Sequence, residues 1–251
     1  MAMNLQIDEK YDIEKLLPFK PIGFWQRCAI RAMVPFYLPI ILWESYLRSK
    51  DRNPLHDGRR KLTGEKKVAI SKEFDFLTVK MASRSLGVTI NEVMVAALSI
   101  AMARLFKDRG DDKSNRMRIA MPCNIRWKYY QTFEEVELEN KFAPMPLKID
   151  LESDVHSALE KTKRVSRDMK KSFAKIYAIY FLSLITSYFL PLFLLKLGAE
   201  KVTKPFTMAF SNTPGVLRKI HYKEVATMGM MTSFICSGRC AMSIAILSYA
   251  E

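Results

Sequence analysis

Apolar and polar positions divide the chain into segments of different character. Residues 1–20 form a polar lead-in, and residues 21–47 are mainly apolar and aromatic, with Arg27, Arg31 and Glu44 between them and two interrupting prolines, Pro35 and Pro39. Proline has no amide hydrogen and kinks the interior of a helix. This stretch therefore predicts a broken helical hairpin or a segment that lies on a surface. Residues 48–72 form a basic linker, which we interpret as a domain boundary.

Three later segments have the periodicity of helices. The predicted helices cover residues 74–86, 90–106 and 154–175. The first is amphipathic and ends at Gly87, in the usual position of a terminating glycine. The second starts at a capping box formed by Thr89 and Glu92. It is apolar nearly all round, which indicates a helix inside a domain. The third presents a strongly basic face.

Short extended runs alternate with these helices. The predicted strands cover residues 67–71, 116–122, 142–149, 206–211, 225–236 and 241–249. Pro144 and Pro146 place the third of them at an edge or make it irregular, and the last two are predicted to pair antiparallel. The order of elements predicts an α/β fold with a mixed sheet covered by helices. We assign residues 1–60 to an apolar helical lead-in and basic linker, and residues 61–251 to one domain.

An uncharged stretch of twenty residues, 176–195, follows the basic helix. It is long enough to cross a bilayer, but Pro191 would break it into a longer and a shorter piece. A true span and a buried or interface-lying helical pair both stay open, and the pattern favours the pair. The basic helix suits anionic headgroups, although a solvated face explains it nearly as well.

The net charge narrows the choice of partners. Forty Lys and Arg against 26 Asp and Glu give +14 over 251 residues, which favours a membrane surface, nucleic acid or a phosphate-bearing ligand such as coenzyme A. No nucleic-acid-binding motif accompanies the charge, so we expect no nucleic acid. Cys28, Cys123, Cys236 and Cys240 lack a complete metal-ligand spacing and predict reduced thiols with no metal site. The first ten residues lack the features of a secretory signal, so we expect the chain to face the cytosol.

Six short motifs follow one another from the linker to the end of the chain. They are Leu-Thr-Gly-Glu-Lys-Lys-Val-Ala-Ile-Ser at 62–71, Gly-Val-Thr-Ile-Asn-Glu-Val-Met-Val-Ala-Ala-Leu at 87–98, Met-Pro-Cys-Asn-Ile-Arg at 121–126, Asn-Lys-Phe-Ala-Pro-Met-Pro-Leu at 140–147, Ser-Asn-Thr-Pro-Gly at 211–215 and Ser-Ile-Ala-Ile-Leu-Ser-Tyr at 243–249. In this order they resemble the C-terminal half of the bacterial and plant wax ester synthase/diacylglycerol acyltransferases, although Glu139 replaces a usual glycine. The resemblance implies one half of a chloramphenicol-acetyltransferase-like two-domain fold. It also implies acyl-CoA as a substrate, and no cofactor.

The resemblance indicates where the catalytic base should be. In this family the base is the second histidine of a His-His-x-x-x-Asp-Gly motif in the N-terminal half, and it allows an alcohol to attack the thioester. No two adjacent histidines occur in this chain. The nearest match, residues 52–58, has Arg52 and Asn53 in the histidine positions, and we interpret it as a turn. His56 and His221 are interpreted as surface or packing residues.

These observations predict the C-terminal half of an acyl-CoA-dependent O-acyltransferase that forms wax ester or triacylglycerol and is inactive alone. The alternative is a non-catalytic acyltransferase-like protein, acting as a membrane-associated scaffold, a lipid-binding module or a subunit of a larger complex. The expected partners are a membrane surface or lipid, and an N-terminal catalytic half or another protein chain. The expected location is membrane-associated and cytosol-facing, at the endoplasmic reticulum or a lipid droplet.

The resemblance also implies a small set of substrate-binding positions. Asn91 matches the first member of an Asn-Asp pair beside the channel between the halves, with helix capping as the alternative. Asn124 and Arg126 match a Pro-x-Ser-x-Arg segment, where an arginine pairs with a phosphate or holds a loop. A turn near the substrate tunnel supplies the remaining three, Ser211, Asn212 and Gly215. An ordinary turn is the alternative there.

Overall fold

The computed structural model describes residues 22–44, 51–56, 63–126, 141–213, 221–222, 225–226 and 240–248. Its helices are α1 (Phe24–Leu42), α2 (Phe76–Ser85), α3 (Ile90–Asp108), α4 (Val155–Lys171), α5 (Phe173–Phe189) and α6 (Leu192–Thr203). Its strands are β1 (Arg116–Asn124), β2 (Phe142–Asp150), β3 (Met208–Thr213), β4 (His221–Tyr222), β5 (Val225–Ala226) and β6 (Met242–Leu247). The predicted α/β class is confirmed.

Four strands form a mixed sheet in the order β2-β1-β3-β6. β1 runs antiparallel to β2 and parallel to β3, and β3 runs parallel to β6. β2 lies at one edge, as Pro144 and Pro146 predicted. Residues two apart on a strand point their amide nitrogens in the same direction, here away from β1, so neither proline removes a hydrogen bond from the sheet.

The pairing predicted for the two C-terminal segments is wrong for the residues that the structure describes. β6 lies parallel to β3, with Met242 beside Met208 and Leu247 beside Thr213. β5, which belongs to the other predicted segment, pairs with β4 instead. The alternation within a strand sets which face it buries but does not select its neighbour.

The main core lies between the sheet and the helices α3 and α4. Its buried members are Val95, Leu98, Met102, Phe106, Met117, Ile119, Met121, Leu147, Ile149, Leu151, Met208 and Phe210. Successive side chains on a strand alternate between faces, so the odd-numbered residues of β1 and β2 face the helices. The Ser99 hydroxyl fixes α3 to the end of β2 because it donates to the Asp150 carbonyl at 2.6 Å. The predicted interior helix is confirmed.

The predicted start of α3 is confirmed at atomic detail. The Thr89 hydroxyl oxygen accepts from the Glu92 amide at 3.2 Å, and the Glu92 carboxylate accepts from the Thr89 amide at 2.7 Å. Two amides that the first helical turn leaves without a carbonyl partner are therefore satisfied. The preceding helix ends at Ser85, and Gly87 adopts a φ of 61°, a conformation that costs an L-residue energy and glycine little.

The broken hairpin predicted for residues 21–47 is wrong within the part that the structure describes, where α1 is one continuous helix. Pro35 and Pro39 are four residues apart and therefore lie on one stripe of the helix, which is exposed. The opposite side packs, with Val34 and Ile41 of α1 against Ala178 of α5. The carbonyls that lose their helical donors to the prolines thus face outward, and tertiary packing keeps the helix continuous.

The strand predicted at residues 67–71 does not form. Residues 63–75 are irregular and exposed, and the side chains of Val68 and Ile70 are 78% and 71% exposed. The alternating sequence is suited to a strand, but no described strand lies alongside to share hydrogen bonds with it. An extended segment needs such a neighbour to become part of a sheet.

The uncharged stretch forms a helical pair, α5 and α6, which separate at Leu190 and Pro191 as the proline predicted. The basic helix ends earlier than predicted, at Lys171, and α5 starts at a bend of 63°. Within the described residues no single helix has both the length and the apolar character to cross a bilayer. Two bent pairs, α2 with α3 and α4 with α5, satisfy these two criteria together.

Candidate functional site

The predicted site residues collect at one edge of the main sheet. β1 and β3 are parallel, so their carboxyl ends lie at the same end of the sheet; this end is the edge at which the site residues collect. Asn124 ends β1, and Ser211 and Asn212 lie near the end of β3. Asn91 lies in the first turn of α3, which packs over this sheet. The fold therefore brings together residues from three separate parts of the chain.

Asn91 and Asn212 form the centre of the candidate site. The Asn212 side-chain nitrogen donates to the Asn91 side-chain oxygen at 3.4 Å. The Asn91 nitrogen in turn faces the Met121 sulfur at 3.7 Å, a weak acceptor. Thr89 and Glu92 make the cap of α3 without Asn91. The capping alternative is therefore wrong for Asn91, whose side chain points to the site.

Asn124 and Arg126 form a second, local arrangement. The Asn124 side-chain oxygen accepts from the Arg126 amide at 3.0 Å and from an Arg126 guanidinium nitrogen at 3.4 Å. This Asx-type turn holds the chain just after β1. Arg126 is partly exposed and is the cation among the predicted site residues.

The predicted residues divide between the two faces of the sheet. Asn212 lies two and four residues after Phe210 and Met208, so it shares their face of the sheet, which faces the helices. Ser211 and Asn124 occupy the alternate positions of their strands and therefore lie on the other face of the sheet. The Ser211 hydroxyl lies 3.4 Å from that of Thr213. Gly215, the sixth predicted residue, lies outside the described residues.

Cys123 lies on the helix face beside this edge. Its sulfur is 3.7 Å from the Met121 carbonyl oxygen, and apolar side chains surround it. Burial disfavours the thiolate and raises the pKa of Cys123 to about 11. The neutral thiol is a poor nucleophile, so the site offers amides, hydroxyls and a guanidinium. Cys28 and Cys123 are free thiols, and Cys236 lies outside the described residues.

A buried polar cluster near the starts of β1 and β3, at the opposite end of the sheet, was not predicted from the sequence. Asn53 donates to the Thr207 hydroxyl at 2.7 Å, and Thr207 donates to Asp51 at 2.9 Å. The Asp51 carboxylate also accepts from the Arg118 amide and pairs with its guanidinium at 3.5 Å. The Asn-Pro turn signal at residues 53–54 was visible in the sequence. Its partners lie far along the chain and were not.

His56 belongs to this cluster, which identifies it as a packing residue. It is 5% exposed, and its Nε2 atom forms a hydrogen bond with the Lys204 carbonyl at 2.7 Å. Thr207 precedes β3 and Asn212 is near its end, so the cluster and the site are separated by about 16 Å at the usual rise per strand residue. His56 therefore lies away from the candidate site. Within the described residues, no group of three or more His, Cys, Asp or Glu side chains is arranged to hold a metal ion.

The family model of the WS/DGAT C-terminal domain matches residues 140–251. Residues 140–251 are therefore similar in sequence to that domain. The family resemblance drawn from the sequence motifs is thereby confirmed. The WS/DGAT domain contributes β2, β3, β6 and the helices α4 to α6, and it includes Ser211, Asn212 and Gly215. Asn91, Asn124 and Arg126 precede the matched residues.

A solved structure has a similar fold over more of the chain. The fold is similar to that of the wax ester synthase/diacylglycerol acyltransferase from Marinobacter aquaeolei VT8, with a TM-score of 0.56 and 16% sequence identity. The match covers 93% of this chain and 50% of the Marinobacter protein. The chain thus spans about half the length of that protein. Among curated proteins, none matches its sequence.

Proposed function

We propose that this chain is the C-terminal half of an acyl-CoA-dependent O-acyltransferase that forms wax ester or triacylglycerol. The observation that carries the proposal is the fold match, which uses 93% of this chain but half of a wax ester synthase/diacylglycerol acyltransferase. The catalytic base is then supplied by residues outside this chain, and these 251 residues do not turn over substrate alone.

The positions of His56 and His156 support a base outside the chain. Acyl transfer to an alcohol needs a group that takes the hydroxyl proton while the oxygen attacks the thioester carbonyl; the C–S bond then breaks and the coenzyme A thiolate takes up a proton. His56 is buried, and the Lys204 carbonyl holds its Nε2 atom. His156 is exposed in the first turn of α4. Neither is placed among the candidate site residues.

The exposed segment before α2 supports the existence of a second half. Val68 and Ile70 alternate with polar residues, as in a strand, yet stay exposed. Phe74 and, on α2, Met81 continue this apolar surface at 77% and 63% exposure. A second domain that paired with the extended segment would satisfy its backbone groups and cover these side chains. The missing half of the matched fold is the occupant that we propose for this surface.

The candidate site has the chemistry of substrate binding. The amides of Asn91 and Asn212 and the hydroxyl of Ser211 donate and accept hydrogen bonds, and Arg126 suits a phosphate group of coenzyme A. We assign them, with Asn124 and Gly215, to substrate binding. The base of the other half would act opposite them.

The proposal is tested with the purified chain, labelled acyl-CoA and either a long-chain alcohol or diacylglycerol. We expect no ester, but measurable binding of acyl-CoA by calorimetry. Replacement of Arg126 by Gln should weaken binding about tenfold, as expected for the loss of one charge-assisted contact. Replacement of Arg164 by Gln removes an exposed cation from α4 and should leave binding unchanged.

Two outcomes would contradict the proposal. Ester formation that disappears in His56→Gln or His221→Gln would show an independent enzyme with its own base. A chain that binds no acyl-CoA would favour the non-catalytic alternative, an acyltransferase-like scaffold, since the candidate site would then hold no substrate.

A further inference from the structure

Six large apolar side chains stay exposed at the start of α1 and around the break between α5 and α6. We call them the aromatic tip: Phe24, Trp25, Tyr188, Phe189, Leu192 and Phe193, which are 63–81% exposed. Side chains of this size have surfaces of roughly 150–250 Å², so the aromatic tip exposes on the order of 800 Å² of apolar surface. Soluble monomers rarely leave so large an apolar surface open to water.

The packing of α1 against α5 brings the two parts of the aromatic tip together. Val34 and Ile41 of α1 pack around Ala178 of α5. The Lys175 ammonium donates to the Glu44 carboxylate at 2.6 Å and joins the end of α1 to the start of α5. The two helices therefore run antiparallel. The start of α1 and the end of α5 therefore lie toward the same end of the pair, opposite Glu44 and Lys175.

The polar side chains of α5 are compatible with an apolar environment. Three hydroxyls of α5 donate to carbonyls one turn earlier in the same helix. Ser183 donates to Ile179 at 2.9 Å, Thr186 to Leu182 at 2.9 Å, and Ser187 to Ser183 at 2.7 Å. A hydroxyl that donates within its own helix presents no unmet donor to hydrocarbon. The exposed surface of α5 can therefore contact lipid chains without losing hydrogen bonds to water.

Two features of α1 indicate a surface position. Pro35 and Pro39 leave the carbonyls of Arg31 and Pro35 without a helical donor on the exposed stripe, so water or headgroups must reach that stripe. The charge of the three helices is also one-sided. Apart from Lys175, which pairs with Glu44, the helices α1, α5 and α6 contain four basic residues and one acidic residue, Glu200, which favours an anionic surface.

We propose that the aromatic tip inserts at the boundary between headgroups and acyl chains of an anionic phospholipid bilayer, without crossing it. Tryptophan and tyrosine prefer this depth because they have an apolar ring and a polar atom. Among the described residues, no single helix is both long and apolar enough to cross a bilayer, and an interfacial position suits helices that are both apolar and basic. The proposal does not depend on acyl transfer.

The test is flotation of the purified chain with phosphatidylcholine vesicles, prepared with and without phosphatidylserine. We expect binding to the vesicles that contain phosphatidylserine, weaker at high ionic strength, together with a blue shift of tryptophan fluorescence. The double replacement Trp25→Ser and Phe189→Ser should lower vesicle affinity by at least about tenfold because it removes two inserted rings. Circular dichroism confirms that the exposed replacements leave the fold intact.

Trp43 provides a matched control at the other end of α1. It is 61% exposed and adjoins Glu44, so Trp43→Ser removes the same chemistry away from the aromatic tip. Vesicle affinity should stay within about twofold. An equal loss in the Trp43 and Trp25 variants, or no flotation at all, would overturn the proposal. Concentration-dependent dimers that the double replacement abolishes, without vesicle binding, would identify a second copy as the occupant instead.

Discussion

The thiol of Cys123 shows how position changes the chemistry of a single residue. It lies near the end of β1 beside the apolar cluster of Ile125, Ala143, Met145 and Ile176. Desolvation raises its pKa from 9.0 to about 11. At the same scale, Asn91 is excluded from the cap of α3 and turns toward Met121 and Asn212. In both cases the surroundings of the side chain, rather than its type, decide what it offers the site.

A variant that retains Cys123 as its single cysteine should titrate with an apparent pKa of about 11, followed by thiolate absorbance. The same variant unfolded in urea should titrate near the ordinary value of 9.0. Because the folded pKa is raised, the unfolded state releases its proton first. The free energy of unfolding should therefore fall as the pH rises from about 9 to about 11. Native titration at or below 9 would contradict this account of the burial.

Asp51 and Arg116 offer a second comparison between single residues. The Asp51 pair with Arg118 is almost enclosed, with side chains 11% and 9% exposed, whereas Arg116 is 55% exposed in its pair with Asp150. We expect Asp51→Ala to lower the free energy of unfolding by about 3 kcal/mol, since it leaves a buried cation without this partner. Arg116→Ala should cost less than about 1 kcal/mol. Urea unfolding measures both, and equal losses would contradict the assigned difference.

At the scale of elements, local sequence signals and tertiary packing act on different parts of the fold. The cap of α3 and the glycine after α2 follow from short motifs, and both form where they were predicted. α1 follows a different rule: its two prolines predict a break, but packing against α5 maintains a continuous helix. Residues 67–71 show the reverse case, a strand-like sequence without a strand.

The cap of α3 is testable by one replacement. Thr89→Ala removes the oxygen that accepts from the Glu92 amide, and it should lower the free energy of unfolding by about 1 kcal/mol. Thr89→Ser keeps the hydroxyl and serves as the matched control. If both variants lose the same free energy in urea unfolding, the hydrogen bond is not the cause.

At the scale of the whole molecule, two of the apolar surfaces that the described residues expose carry our proposals. One is the extended segment before α2, and the other is the aromatic tip of α1, α5 and α6. We assign the first to the missing half of the fold and the second to a membrane surface. The two assignments differ in chemistry, since an unpaired extended backbone needs hydrogen-bonding partners and a basic apolar tip suits anionic lipid.

Hydrogen exchange tests the first assignment. In the chain alone, the amides of residues 66–72 should exchange freely, whereas those of β1 within the sheet should be protected. When the base-bearing half of an enzyme of this family is added and binds, residues 66–72 should become protected as well. Protection of this segment in the chain alone would show that it already has a partner.

Much of the fold is encoded locally and could be predicted. Capping residues, terminating glycines and alternating apolar runs act within a few residues of one another, so α2, α3, β1, β2 and β3 appear where the sequence predicts them. The ordered motifs also identify the WS/DGAT relationship. The edge location of β2 follows from Pro144 and Pro146, because proline cannot donate to a neighbouring strand.

The contacts that join distant residues were decided by the tertiary structure. Asn53 meets Thr207, Asp51 meets Arg118, and Asn91 meets Asn212 across more than sixty positions of sequence in each case. No local pattern specifies such pairs, because they depend on how layers of helix and sheet pack. The sequence by itself thus determined most of the elements and the family resemblance. Packing determined the neighbour of β6, the continuity of α1 and the two faces of the candidate site.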